Sequence, residues 1–91
     1  YEGPPLDGPL SLSVVFVLPR PKSMMWKKRQ TPRAWHTSRP DSDNLTKSLK
    51  DALSGILWRD DCQVCLTVVE KRIASGIEQP HVEVFVTTLE D

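Results

Sequence analysis

Apolar and polar positions along the chain change their period several times, and each change marks an element. Residues 11–18 (SLSVVFVL) are rich in β-branched and aromatic side chains and end at Pro19 and Pro21, which predicts a strand. Residues 1–10, with Pro4, Pro5, Pro9 and two glycines, read as an extended lead-in. Across residues 19–40, which hold Pro19, Pro21, Pro32 and Pro40, neither a period of 2 nor one of 3.6 survives, so a long basic loop is expected. Asp43 has a good N-cap side chain, and Leu45, Leu49, Ala52, Leu53 and Ile56 then recur at spacings of three and four. That spacing predicts an amphipathic helix, with Gly55 near its end as a C-terminal cap. Residues 62–71 (CQVCLTVVEK) alternate imperfectly and predict a second strand. Residues 81–89 (HVEVFVTTL) set Val82, Val84 and Val86 against more polar neighbours and predict a third. Ser75 and Gly76 fall in the turn between them, so these two strands are expected to form an antiparallel hairpin. The simplest assembly is α+β: a small mixed β-sheet packed against one main amphipathic helix, as a single domain over residues 1–91.

Composition fits such a domain, at 38% hydrophobic and 26% charged. A chain of 91 residues buries only about 60 to 65% of its unfolded surface, so its core gains from dimerisation. No apolar run approaches the roughly 18 residues of a membrane span, and no signal-peptide pattern is present, which makes the cytoplasm the expected location. The chain opens on Tyr1 rather than Met, so a removed or missing start is expected. Cys62 and Cys65 form one CxxC, whereas a structural zinc site needs four ligands; two ordinary thiols are expected.

Charge changes the picture more. The formal net charge is zero, yet between Gly8 and Pro40 there is no acidic residue, while Arg20, Lys22, Lys27, Lys28, Arg29, Arg33 and Arg39 supply seven of the twelve bases. Directly afterwards Asp41, Asp43, Asp51, Asp60 and Asp61 place five carboxylates in 21 residues. A basic stretch beside an acidic cluster suits a metal-dependent enzyme acting on a polyanion, because cations hold phosphates and carboxylates hold the metal.

Asp41 and Asp43 bracket the predicted helix start, and Asp61 follows the helix, where the fold could return it beside them. Three hard oxygen ligands at one spot suit Mg²⁺, with Mn²⁺ as a substitute. Lys47 lies one turn after Asp43 on the face opposite the leucines, together with Lys50, and could reach a phosphate held at the metal. Each residue taken singly has a plainer use. Lys47 could bridge to Asp43 or Asp51, Asp43 could cap the helix, Asp41 could complement its dipole, and Asp60-Asp61 could mark a turn. A calcium loop is excluded, since it would need Asp or Asn at Leu45 and Gly at Thr46. Asn44 is either a contact to carboxylate or phosphate or an ordinary first-turn residue. In the basic loop Met24, Met25, Trp26 and Trp35 interleave with Lys27, Lys28, Arg29 and Arg33, offering cations for phosphates and flat faces for bases. The alternative is a solvated loop whose tryptophans cover the core. His36 either orients phosphate or water or is a plain surface histidine, and His81 carries no function.

Arg39-Pro40-Asp41-Ser42-Asp43-Asn44-Leu45-Thr46-Lys47, then Asp51-Ala52-Leu53 and Gly55, then Trp58-Arg59-Asp60-Asp61-Cys62-Gln63-Val64, resembles the signature of the RusA family of Holliday junction resolvases. The resemblance covers roughly residues 39–64. It implies a homodimeric endonuclease that binds four-way DNA junctions and cuts two opposed strands with Mg²⁺, in a bacterial or prophage recombination setting. Carried over, it implies Asp41, Asp43 and Asp61 as essential carboxylates and metal ligands, Lys47 as the essential lysine, and Asp60 beside them as an additional candidate ligand. Lys27, Lys28, Arg29, Arg33, Arg39 and Lys50 are the expected DNA contacts. The resemblance also implies a further N-terminal strand and a basic stretch before the part that begins here, so the sequence is expected either to omit those residues or to be that of a shortened homologue. Competing readings are a non-catalytic nucleic-acid-binding module and a nuclease on other branched DNA.

Overall fold

A computed structural model describes residues 3–21 and 32–89. The first strand, β1 (Leu10–Leu18), has the strictest alternation in the chain: Leu10, Leu12, Val14 and Phe16 point to one face and are 0–4% exposed. Burial of each such side chain stabilises by about 1.5–3 kcal/mol, so this strand anchors the core. It sits inside a four-stranded sheet of order β2-β3-β1-β4, formed with β2 (Ala34–Trp35), β3 (Val64–Ile73) and β4 (His81–Thr88). β1 runs parallel to β3 and antiparallel to β4. The register carries the apolar face across the sheet: Val14 is opposite Val69 on one side and Val84 on the other.

The helix α1 (Ser42–Leu53) lays Leu45, Leu49 and Leu53 on that face, joined by Leu57 and the fully buried Trp58. Its N-cap is Asp41, not Asp43, which stands in the first turn. It ends at Leu53, with Ser54 as C-cap and Gly55 following at φ +84°, a left-handed conformation that glycine adopts at least cost. Leu53 O accepts from both Ile56 and Leu57 N–H, so the chain leaves the helix there. Ile56, expected on the apolar stripe, is accordingly 53% exposed.

Two further expectations are corrected. β3 and β4 form no hairpin, because β1 lies between them. Parallel pairing of β1 with β3 needs a long crossover, and residues 19–63 supply it, α1 included. The imperfect alternation of residues 62–71 also has a cause. Asp61–Gln63 is a 3₁₀ turn rather than strand, and a register shift after Val64 leaves Cys65 without a partner on β1. The bulge lets Val64 and Val69 pack on one core despite their odd separation. Within the expected loop, residues 34–35 form β2, which pairs with Arg72 and Ile73. Arg20 is only 9% exposed and donates to Ala74 O (2.7 Å) and Pro32 O (2.6 Å), holding residues 20 and 32 against the sheet.

Candidate active site

Because α1 repeats every 3.6 residues, the leucines that face the core leave Ser42, Asp43, Thr46, Lys47, Lys50 and Asp51 on another side. These residues wall a cleft of about 540 Å³, closed on its other side by Asp61, Thr67 and Val69. The parallel β1–β3 pairing explains how Asp61 comes there: the 3₁₀ turn feeding β3 must return to the level where β1 begins. Three carboxylates and two ammonium groups therefore share one space. Among the described residues no ion pair within 4.0 Å joins Lys47 to Asp43 or Asp51, so the helical salt bridge that could have absorbed this lysine is not made.

Asp61 is the most constrained of the acids. The indole N–H of buried Trp58 donates to its Oδ1 at 2.8 Å, which orients the carboxylate and leaves its other oxygen for a ligand. Asp60 does different work. Its Oδ1 accepts from Cys62 N at 3.0 Å, and these bonds hold its carboxyl below the usual range. The bond fixes the 3₁₀ turn, so Asp60 serves the geometry of its neighbour. Gln63 completes that turn with all its bonding capacity: Oε1 accepts from Arg59 N (2.8 Å) and Asp60 N (2.9 Å), while Nε2 donates to Leu6 O (2.9 Å) and Gly8 O (3.1 Å).

Asp41 stands outside the cleft, in an adjoining shallow depression with Arg39, Pro40 and Asn44. Although it is the N-cap residue, its side chain makes no capping bond, so it is not consumed by the helix. The oxygens of Asp41, Asp43 and Asp61 do not form a ready cage. Among the described residues the trio of ligand atoms within 4.8 Å of one another is Glu78, His81 and Glu83, on the far side of the sheet order at β4. In donor chemistry Asp43 and Asp61, two of the three cleft carboxylates, with Asp41 at the rim, suit a hard divalent cation that retains waters.

The predicted DNA contacts divide. Lys50 lines the cleft and Arg39 the rim. Lys27, Lys28 and Arg29 lie outside the described residues, as do Met24, Met25 and Trp26. Arg33 is paired with Glu78 through two nitrogens and with Glu83, so its charge is already met. Trp35 is 61% exposed, with the Arg72 guanidinium 3.3 Å from its ring centroid. His36 continues β2 through its N–H to Lys71 O, and His81 opens β4. Cys62 and Cys65 are free and exposed; the Asp60 carboxylate pushes the Cys62 thiol up, away from a reactive thiolate.

The sequence reading missed Trp58 as the partner of Asp61 and treated it as an apolar link. Its signal was the spacing of three to an aspartate across a turn. Gln63 was seen only as part of a motif, and its four bonds give the physical reason for a glutamine there.

Residues 1–87 match the family of endodeoxyribonuclease RusA. The chain is 36% identical over 86 residues to the uncharacterized protein YqaN of Bacillus subtilis (strain 168), an alignment that covers 89% of this chain and 58% of that protein. No solved structure matches it. No helix among the described residues is long and apolar enough to cross a membrane. With the family matched along nearly its whole length and acids, lysines and a polar cleft assembled at the motif positions, the chain belongs to the RusA endodeoxyribonuclease family.

Proposed function

We propose that this chain is the catalytic part of a Mg²⁺-dependent endodeoxyribonuclease that resolves four-way DNA junctions by symmetric cleavage of opposed strands, as a homodimer. The observation that carries the reading is the cleft in which Asp43, Asp61, Lys47 and Lys50 meet without pairing with one another. Family membership supports the nuclease chemistry. The chain spans 58% of the length of its curated relative, so the activity, substrate and partner of the whole protein belong to this proposal.

Asp43 and Asp61 would hold the cation, with Asp41 as the third ligand from the rim. When bound, it lowers the pKa of a water and neutralises charge on the scissile phosphate. The protein's own groups do the rest. Trp58 fixes the orientation of Asp61, so the carboxylate enters the site without spending freedom on binding. Lys47 places an ammonium against the developing charge on the phosphoryl oxygens, and Lys50 extends the positive surface one turn further. Arg39, Lys27, Lys28 and Arg29 supply phosphate contacts along the substrate arms, while Arg33 ties its segment to the sheet. Two such sites related by a twofold axis would give paired cuts in opposed strands.

The test is cleavage of synthetic four-way junctions with Mg²⁺ or Mn²⁺ beside linear duplex, flap and three-way controls. Asp61→Asn retains an oxygen for the Trp58 N–H, so it should fold and bind junctions yet lose cleavage and Mn²⁺ binding. Equal cutting of every branched substrate would replace junction specificity with a broader nuclease. An uncut panel, with no saturable metal binding, would leave a nucleic-acid-binding module.

A further inference from the structure

Lys71 belongs to no motif, yet it reaches the segment that leads into Asp41. On β3 it is opposite Phe16 of β1, so it shares the helix-side face with Val69 and Thr67, the residues that line the cleft. It is half-buried, and its ammonium donates to Ser38 O at 2.6 Å and Pro40 O at 2.7 Å. Its own carbonyl accepts from His36 N–H at 3.1 Å. One residue therefore grips the segment 36–40 at both ends. That segment delivers Asp41, the first residue after Pro40 and the N-cap of α1.

We infer that Lys71 is a positioning residue for the metal site: by clamping the carbonyls of Ser38 and Pro40 it sets where Asp41 stands relative to Asp43 and Asp61. The inference rests on the nuclease reading above. Asp41 lies at the rim and its side chain makes no capping bond, so among the described residues no side-chain hydrogen bond fixes it. Its backbone is held from two sides: Asp41 O accepts from Leu45 N–H at 3.2 Å in the first turn of α1, and the segment immediately before it is the one that Lys71 clamps. An ammonium suits that duty, since it satisfies two carbonyls at once from a flexible stem and keeps a third donor. Because both acceptors are main-chain oxygens, the clamp constrains the path of the chain and is indifferent to the side chains at residues 38 and 40.

The experiment is Mn²⁺ titration of the unaltered protein, Lys71→Met, Lys71→Arg, Asp41→Asn and the double variant, with circular dichroism to confirm folding. Lys71→Met should bind Mn²⁺ about 10- to 100-fold more weakly, as loss of a partner behind a metal ligand does. Junction cleavage should then recover as Mn²⁺ is raised, because the ligands themselves remain. Lys71→Arg should restore much of the affinity. In the Asp41→Asn background Lys71→Met should change affinity less than about twofold, since coupled residues are not additive. Unchanged affinity in Lys71→Met, or a full loss in the Asp41→Asn background, overturns the inference alone. Absence of Mn²⁺ binding in the unaltered protein overturns the nuclease reading and this inference together. Should Lys71→Met fail to fold, Lys71→Arg and Lys71→Gln carry the test: affinity graded Lys, Arg, Gln supports the clamp, and equal affinity in all three overturns it.

Discussion

Replacing Gln63 by alanine removes four hydrogen bonds at one stroke, which makes it the sharpest single test of how this domain holds the turn that carries Asp60 and Asp61. The amide spans the N-terminal segment at Leu6 and Gly8 and the turn at Arg59 and Asp60, regions more than fifty residues apart in sequence. Each such bond contributes about 0.5–1.5 kcal/mol, so four set a range of about 2–6 kcal/mol. Three of the four are exposed and the bond to Leu6 O is partly buried, so water replaces most of the loss. The low end, about 2 kcal/mol, is the expected cost. For a domain of this size that lowers the melting midpoint by about 8–16 °C. Gln63→Glu sharpens the assignment. It keeps both acceptor bonds but sets a carboxylate against the carbonyls of Leu6 and Gly8. It should therefore be destabilised at pH 7 and partly recover near pH 4, where a protonated acid regains one donor. Urea and thermal denaturation followed by circular dichroism measure both variants. A change under about 0.5 kcal/mol in Gln63→Ala would show that water replaces the clip at no cost and refute the reasoning.

Trp58→Phe deletes the donor to Asp61 while leaving an aromatic ring in the core. Mn²⁺ affinity should fall about 10- to 100-fold by isothermal titration, and unchanged affinity would show that Asp61 needs no such orientation. Gly55→Ala should cost about 1–2 kcal/mol in chemical denaturation, entirely from its left-handed backbone, because an added Cβ would meet nothing within 4 Å. The Arg33, Glu78, His81 and Glu83 cluster should make stability depend on pH from both sides. Arg33 holds Glu78 down from 4.5 to about 2, so its contribution is complete above pH 4.5 and lost as pH falls toward 2. The carbonyl of Gln79 and then the Glu83 carboxylate raise His81 above 6.5, so its contribution is complete below 6.5 and lost as pH rises through the raised value. Urea midpoints should thus peak between about pH 4.5 and 6.5 from this cluster, with Glu78→Gln flattening the acid limb and His81→Gln the alkaline one; identical profiles would discount the cluster.

Periodicity alone located the strands at residues 11–18 and 81–89 and the helix carrying Leu45, Leu49 and Leu53, because burial on one face imposes a repeat of 2 or 3.6 on whichever local structure is present. For the same reason the sequence placed Asp43, Lys47 and Lys50 together: their spacing on one helix is a local fact, and they do line one cleft. Pairing of strands is not local. Nothing between residues 62 and 89 told that β1 would enter between β3 and β4, since that depends on burying Leu10, Leu12, Val14 and Phe16 on a sheet with neighbours on both sides. The bulge at Cys65 hid the period of β3 by shifting it one residue. Side chains that act at a distance were equally silent in the sequence. Gln63 reaches residues 6 and 8, Lys71 reaches 38 and 40, and Arg33 meets Glu78 and Glu83. Which acids and bases share a helix face follows from the repeat of one chain segment; which of them are held in place depends on contacts that exist only once the sheet has closed around β1.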